Sequence, residues 1–259
     1  MQFGICTAVE NAQAVKAAGW DFVEESIQGL LQGQLPDAEW KGLERVRKSP
    51  LPVPAANMLV PGSLKITGPD ADLEKLRAYM TNVLRRAKQT GTKILVFGSG
   101  GARRVPDGFD RQSARKQIIE FIRMSAPIAA DNGVTLVAEH LNKKECNIIN
   151  SLDEAMTYVK EVNHPAFQCL ADSYHFWEEN EPLESLQHAM PWIRHVHLAD
   201  KGSRVAPGES GASDYRPFFA VLKKAGYDRM ISVEATGFRD IAGVGPRVLA
   251  FVKKQWEEA

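Results

Sequence analysis

The sequence predicts an α/β protein with a single-domain (β/α)8 barrel. Eight short runs rich in apolar and β-branched residues alternate with stretches of helical period, and the chain has 259 residues, close to the ~250 that is typical of such a barrel. A doubly wound open sheet gives a similar order of elements. It would place a glycine-rich phosphate turn after the first strand, whereas the residues at 6–10 are CTAVE. The closed barrel is therefore favoured.

The eight strands are predicted from the length and composition of the runs. They lie at 2–8, 21–26, 52–58, 93–98, 134–140, 167–172, 193–199 and 230–235.

The intervening helices are indicated by apolar residues that recur every three or four positions. One such stripe predicts a helix over about 72–89, and the same pattern runs through 118–129 with Gly133 as a candidate C-cap. Ser151 has the spacing of a capping box before another apolar stripe, and a further helix ends at Gly226. These helices would cover the outside of the barrel.

Composition and charge limit the classes of molecule that the protein is expected to bind. Lysine plus arginine equals aspartate plus glutamate at 32 each, so no net field attracts nucleic acid or an anionic membrane. No run approaches the roughly 18 apolar residues of a membrane span. A small neutral or mildly anionic ligand fits better, and a homo-oligomer is compatible with the sequence.

Domain organisation and location follow from similar features. No linker or shift in composition divides residues 1–259, which predicts one domain. Three scattered cysteines suit a reducing compartment, and the first twenty residues lack the pattern of a signal peptide. We expect a cytoplasmic protein.

Four consecutive predicted strands end in a side chain that can bind a metal. In a barrel of this kind, functional side chains collect at the carboxyl ends of the strands. A charged residue in an apolar strand is costly to bury unless it is paired or holds a cation. The four residues are Glu139, Asp172, His197 and Glu234.

Three carboxylates and one imidazole form a mostly oxygen ligand set. Such a set suits Mn²⁺, Mg²⁺ or Co²⁺, of which Mn²⁺ is our first expectation, and Zn²⁺ is also compatible. His195 shares a strand face with His197 but lies deeper, so we interpret it as a structural histidine.

These motifs resemble the xylose-isomerase-like barrel superfamily of sugar isomerases and epimerases. The resemblance covers about residues 2–252 and is carried by LVAEHLN, ADSYH, HVHLADKGSR, PGES and SVEATG, in that order. The superfamily includes ketose 3-epimerases, hydroxypyruvate isomerases and inosose dehydratases. The motifs do not choose among these members.

The resemblance implies roles for particular residues. Glu139, Asp172, His197 and Glu234 would hold one divalent metal, and the two glutamates would also be the catalytic acid/base pair. Three further positions match groups that contact the substrate in the epimerases, the last of them one place away from its counterpart: Glu145, His175 and Arg204. No organic cofactor is implied.

Three positions depart from the family pattern. His140 stands where many members have proline, Ser210 replaces the second glycine of P-G-x-G, and Lys143-Lys144 replaces a stretch that usually bears arginine. These departures concern the identity of the substrate more than metal binding.

The chemistry expected of such a site is proton transfer beside a carbonyl. A divalent cation chelated by a carbonyl and a neighbouring hydroxyl stabilises the enediolate that forms when the adjacent proton leaves. Return of the proton to the opposite face gives epimerisation, and its return to the neighbouring carbon gives an aldose–ketose isomer. Loss of a β-hydroxyl gives dehydration of an inosose-like substrate.

Two alternatives come from other classes. An endonuclease-IV-like DNA repair enzyme would need a histidine-rich zinc cluster and a basic groove, which six histidines and zero net charge do not favour. A barrel that binds a sugar without turnover is the other.

Several residues outside these motifs remain candidates. The glycine-rich segment 97–104 carries two arginines and is a weak candidate for anion binding. Glu24, Asn57 and Trp177 are candidate pocket walls, and Cys6 and Cys169 are interpreted as small core residues.

Overall fold

The computed structural model describes residues 1–238 and 240–259, and it contains a closed barrel of eight parallel strands in sequence order. The strands are β1 (Gln2–Cys6), β2 (Phe22–Ser26), β3 (Ala55–Asn57), β4 (Ile94–Phe97), β5 (Thr135–Glu139), β6 (Phe167–Asp172), β7 (Ile193–Leu198) and β8 (Met230–Val233). The barrel closes because β1 pairs with both β2 and β8.

Helices connect the strands over the described part of the chain. They are α1 (Ala12–Ala17), α2 (Ile27–Leu30), α3 (Gly42–Lys48), α4 (Leu73–Thr90), α5 (Gly100–Arg103), α6 (Arg111–Asp131), α7 (Leu152–Val162), α8 (Ser173–Glu178), α9 (Leu183–Ala189), α10 (Arg216–Lys224) and α11 (Ile241–Glu257). Short 3₁₀ turns lie at Val9–Asn11 and Met190–Trp192.

The predicted fold is confirmed, and every predicted strand is present, although most are shorter than expected. The largest difference is at β3, predicted over 52–58 and observed over three residues. Pro52 and Pro54 lie in the missing part, and proline has no N–H to donate to a sheet.

Local capping signals set the helix boundaries as predicted. The Ser151 side chain accepts a hydrogen bond from Glu154 N (3.0 Å), and the Glu154 carboxylate accepts from Asn150 N (2.7 Å). Helix α4 begins after Asp72, whose carboxylate accepts from Lys75 N (3.0 Å). Gly133 follows the end of α6 with a φ of +66°, a conformation that glycine adopts without a steric penalty.

The barrel interior has an apolar layer below a polar one. Ala55, Ile94, Val96, Val137 and Leu170 form a separate buried cluster. Since side chains alternate along a strand, the residues two places after Val137 and Leu170 face the same interior. Those residues are Glu139 and Asp172, so the apolar layer forms the floor of the polar site.

Among the described residues, no helix is long and apolar enough to cross a bilayer.

Candidate active site

The structure brings the four predicted ligands together at the carboxyl ends of the strands. One ligand atom from each of Glu139, Asp172, His197 and Glu234 lies within 4.8 Å of the others. From His197 Nδ1 the nearest carboxylate oxygens are 3.3 Å away on Glu139, 3.4 Å on Glu234 and 3.9 Å on Asp172. Neighbouring strands pair Asp172 with His197, which fixes these two at one level.

His197 is held from its other side by Glu24, a residue buried on β2. Glu24 Oε1 accepts from His197 Nε2 (2.9 Å), while Oε2 contacts His195 Nε2 (2.7 Å) and accepts from Ser232 Oγ (2.6 Å). With Nε2 donating, Nδ1 of His197 faces the three acids. A carboxylate behind a ligand histidine is the usual arrangement in metal sites.

Burial and like charge raise the pKa of two of the acids. Desolvation is the main cause for Glu139, with repulsion from Glu234 adding to it. Burial raises the pKa of Asp172 to about 6, against the opposing attraction of Arg204 and His197. Carboxylates in this position are destabilised as anions unless a positive charge joins them.

Positive charge from neighbouring side chains acts mainly on Glu234. Burial alone would raise its pKa, but His197 and Arg204 lower it to about 2. Burial would lower the pKa of His197, but Glu24 and Glu234 raise it well above its ordinary value. The cluster therefore favours a cation, and a mostly oxygen donor set of this kind fits a divalent metal.

A second group of possible ligands shares His197. Cys6, Glu24 and His197 also offer atoms within 4.8 Å of one another. The Glu24 oxygens already bind His195, His197 and Ser232, so the set with three acids fits a metal better. Cys6 is half-buried and lines the central cavity, which corrects its interpretation as a core residue. Cys169 is buried as predicted.

Two of the predicted substrate contacts form an ion pair at the edge of the cluster. Arg204 Nη1 lies 3.1 Å from both oxygens of Glu145, and Arg204 Nη2 donates to Glu234 Oε2 (2.7 Å). The Arg204 guanidinium also lies over the ring of Tyr174, 5.0 Å from its centroid. The loop after β7 thus reaches the site although its arginine is offset from the family position.

His175 contributes a free N–H. Its Nδ1 accepts from Asn142 N (3.1 Å), so its proton resides on Nε2, and among the described residues Nε2 has no hydrogen-bond partner. Burial lowers the pKa of His175, which keeps the ring neutral. A buried neutral donor of this kind suits a substrate oxygen.

Asn57 contacts the candidate base directly. Its Nδ2 donates to Glu234 Oε1 (2.6 Å). Both residues line a central cavity of about 270 Å³ together with Cys6, Glu24 and Ser26. The expectation that Glu24 and Asn57 form pocket walls is therefore confirmed, although the bridging role of Glu24 was missed.

Two other expectations are not supported by the contacts. Trp177 packs edge-on against Tyr215, with ring centroids 4.9 Å apart, and does not line the central cavity. In the glycine-rich segment, buried Arg103 donates to the carbonyls of Phe97 (2.6 Å) and Glu139 (2.7 Å). That arginine is a structural clamp, which leaves it unavailable to an anion.

The glycines of the same segment have a steric role. A Cβ at Gly98 would overlap Oε2 of Glu139. Glycine is required at position 98, directly after β4, because the Glu139 carboxylate lies against the backbone there. This close approach explains the glycine better than a phosphate cradle does.

Two of the sequence departures have a structural explanation. His140 is buried with its Nε2 3.3 Å from Glu181 Oε1. Ser210 donates from both N (2.9 Å) and Oγ (2.7 Å) to Asp200 Oδ2, so it adds a hydrogen bond that a glycine lacks. Lys143 and Lys144 form exposed ion pairs with Glu179 and Glu178.

The chain is similar to known proteins in sequence and in fold. Residues 12–254 match the family model described as xylose isomerase-like TIM barrel. A ketose 3-epimerase of Arthrobacter globiformis is 27% identical over 50% of this chain and 45% of its own length. A 3-dehydro-D-guloside 4-epimerase of Escherichia coli is 31% identical over 46% of this chain and 45% of its own length.

The aligned part of the chain therefore spans about half the length of these curated relatives. A solved structure of D-allulose 3-epimerase from Methylomonas sp. superposes with a TM-score of 0.84 at 21% identity, covering 98% of each chain. At that identity the superposition shows the fold alone. With the family model covering nearly all of the barrel, the chain belongs to the xylose isomerase-like TIM barrel family.

Proposed function

We propose that this protein is a metal-dependent epimerase or isomerase of a small ketose, with Glu139 and Glu234 as its acid/base pair. The observation that carries the proposal is the placement of these two carboxylates. Glu139 ends β5 and Glu234 directly follows β8, three strands away around the ring, and both reach the same cluster. Side chains from such separated strands approach a bound molecule from different sides.

Glu139, Asp172, His197 and Glu234 would hold the divalent metal, Mn²⁺ being our first choice. When bound, the cation would act as a Lewis acid that polarises the substrate carbonyl and offsets the negative charge that develops on its oxygens.

Side chains of the protein would transfer the proton, position the base and bind the substrate. One glutamate removes the proton beside the carbonyl and the other returns a proton from the far side, which inverts that carbon. Asn57 and Arg204 hold Glu234 in place, each through one of its two oxygens. His175 offers its free Nε2–H to a substrate oxygen.

The nature of the lining favours an uncharged sugar. The described residues around the central cavity include three glutamates, Glu24, Glu25 and Glu234, and no lysine or arginine. These acids disfavour a phosphate at this wall of the cavity. The three free cysteines are consistent with the proposed cytoplasmic location.

The test is hydrogen exchange at carbon. The Mn²⁺-loaded protein is incubated in D₂O with ketoses, aldoses, hydroxypyruvate and inosose, and products are followed by NMR and mass spectrometry. We expect deuterium at the carbon next to the carbonyl of one ketose and its epimer, and loss of activity after EDTA treatment that Mn²⁺ restores.

Other outcomes would redirect or reject the proposal. A product lighter by one water would assign dehydratase chemistry to the same site. Sugar binding without exchange in the whole panel would indicate a binding protein, and cleavage of abasic DNA would indicate a repair enzyme.

A further inference from the structure

A second cavity opens on the same face of the barrel, beside the central one. It has a volume of about 310 Å³, within the roughly 300–1,000 Å³ range of small-molecule sites. Its walls come from the segments that follow β2 and β3. The lining includes Gln28, Gln32, Gln34, Pro61 and Tyr79.

The two cavities adjoin. Ser26 lines the central cavity and Gln28 lines the second one. Since consecutive Cα atoms are ~3.8 Å apart, the Cα atoms of Ser26 and Gln28 are less than ~8 Å apart. Gln28 Nε2 also donates to Met58 O (3.1 Å), next to Asn57 of the central cavity.

The wall of the second cavity is built around a buried arginine. Arg86 on α4 donates to the carbonyls of Leu31 (2.9 Å), Gln32 (2.5 Å) and Leu35 (2.6 Å). A fully buried guanidinium that binds three carbonyls of one loop fixes the path of that loop. The side chains that the loop presents are therefore preorganised, which lowers the entropic cost of binding.

The chemistry of the wall is that of a hydroxyl-binding surface. Gln32 is held at a φ of +46°, a conformation that costs a non-glycine residue free energy and is often retained at functional sites. The side chain of Gln32 is half-buried and that of Gln34 is exposed, so both amides are accessible to a ligand. Each amide both donates and accepts, as a hydroxyl group requires, and the lining contains no charged side chain.

We propose that this second cavity, the glutamine groove, binds a neutral polyhydroxylated group attached to the reacting ketose, such as a second sugar residue. The inference rests on the proposed function and specifies its substrate as a glycosylated sugar rather than a free or phosphorylated one. Gln32 and Gln34 bind the hydroxyls of the attached group, and Pro61 supplies apolar surface for its ring.

The test uses two pairs of sugars, and each pair consists of a free ketose and a glycosylated form of it. D-Fructose and isomaltulose, which is fructose with a glucosyl unit on O6, are assayed for deuterium uptake at C3 with the Mn²⁺-loaded enzyme. A second pair, 3-keto-D-glucose and 3-ketosucrose, is assayed for exchange next to its own carbonyl. We expect kcat/KM to be at least 10-fold higher for one of the glycosylated sugars than for its free counterpart.

The variant that tests the groove is the double substitution Gln32→Gly and Gln34→Ala. Glycine accepts the positive φ of position 32, so the change removes both amides without straining the loop. Loss of two neutral hydrogen bonds predicts a fall of ~5- to 50-fold in kcat/KM for the glycosylated sugar. The value for the free ketose should stay within twofold, as should both values in Gln112→Ala, an exposed position on α6.

Equal kcat/KM for both members of each pair, or an equal effect of the double variant on both, would overturn the groove proposal and leave the epimerase proposal standing. If neither these four sugars nor the wider panel described above shows exchange, the epimerase proposal fails instead. Saturation-transfer NMR on isomaltulose then decides about the groove: contact to the glucosyl protons that disappears in the double variant supports it, and no such contact rejects it.

Discussion

Glu24 Oε1 lies 2.9 Å from Nε2 of His197, the single nitrogen ligand of the candidate metal centre. The same carboxylate is anchored by Ser232 Oγ at 2.6 Å. All three residues are fully buried, so the contact is formed away from solvent. It fixes the tautomer and the ring orientation of His197.

Replacing Glu24 by glutamine should weaken metal binding without removing a ligand. The neutral amide gives His197 less basicity and can present its oxygen to only one of the two histidines. Loss of such a supporting carboxylate typically costs ~10- to 100-fold in metal affinity. Titration calorimetry with Mn²⁺ would measure it, with Glu120→Gln on the exposed face of α6 as control. Unchanged affinity in Glu24→Gln would refute the supporting role.

Gly98→Ala should disable the site sterically. The new Cβ would overlap Glu139 Oε2, and the carboxylate would have to rotate away from the other ligands. We expect Mn²⁺ affinity and turnover to fall at least ~10-fold each, by analogy with other losses of ligand geometry. Gly62→Ala is the matched control because its Cβ would meet its nearest neighbour at an ordinary 3.7 Å. Normal Mn²⁺ binding in Gly98→Ala would show that Glu139 does not need this position.

Glu139→Gln and Glu234→Gln should each stop epimerisation while leaving one half of the exchange. If each glutamate serves one face, each variant retains a single functional base. Loss of one acid/base group typically costs ~10²–10⁴ in rate. Deuterium wash-in without inversion should then occur from one epimer in one variant and from the other epimer in the other. Wash-in from the same epimer in both variants would contradict the two-face assignment.

Some features of the fold and of the candidate site could be predicted from the sequence, and others could not. The barrel was predictable because strand and helix periods are local properties. The candidate ligand cluster was predictable because each of its residues lies at or beside the carboxyl end of its own strand. Ser232 could have been recognised in the same way, since it lies two positions before Glu234 and alternation places both on the interior face.

Other features depended on contacts between distant residues. Nothing near Glu24 in the sequence points to His195 and His197, which lie 171 and 173 positions away. The steric need for Gly98 comes from a carboxylate on the next strand. The clamp formed by Arg103 binds carbonyls on two strands, so the sequence pattern could not show that the weak candidate for an anion site is a structural contact.

Glu181→Gln should make the protein more stable at alkaline pH. The Glu181 side chain is 6% exposed and contacts neutral His140, and burial raises the pKa of Glu181 to about 8.

The unfolded chain has an ordinary glutamate pKa of ~4.3. Between these values the folded state holds a proton that the unfolded state has lost, so the contribution to stability is complete below pH 4 and disappears as pH rises to 8. The glutamine variant lacks this loss and should gain on the order of 3–4 kcal/mol relative to the wild type between pH 5 and 8. Denaturant unfolding across that range would measure the difference, with exposed Glu184→Gln as control; a difference independent of pH would show that Glu181 is ionised when folded.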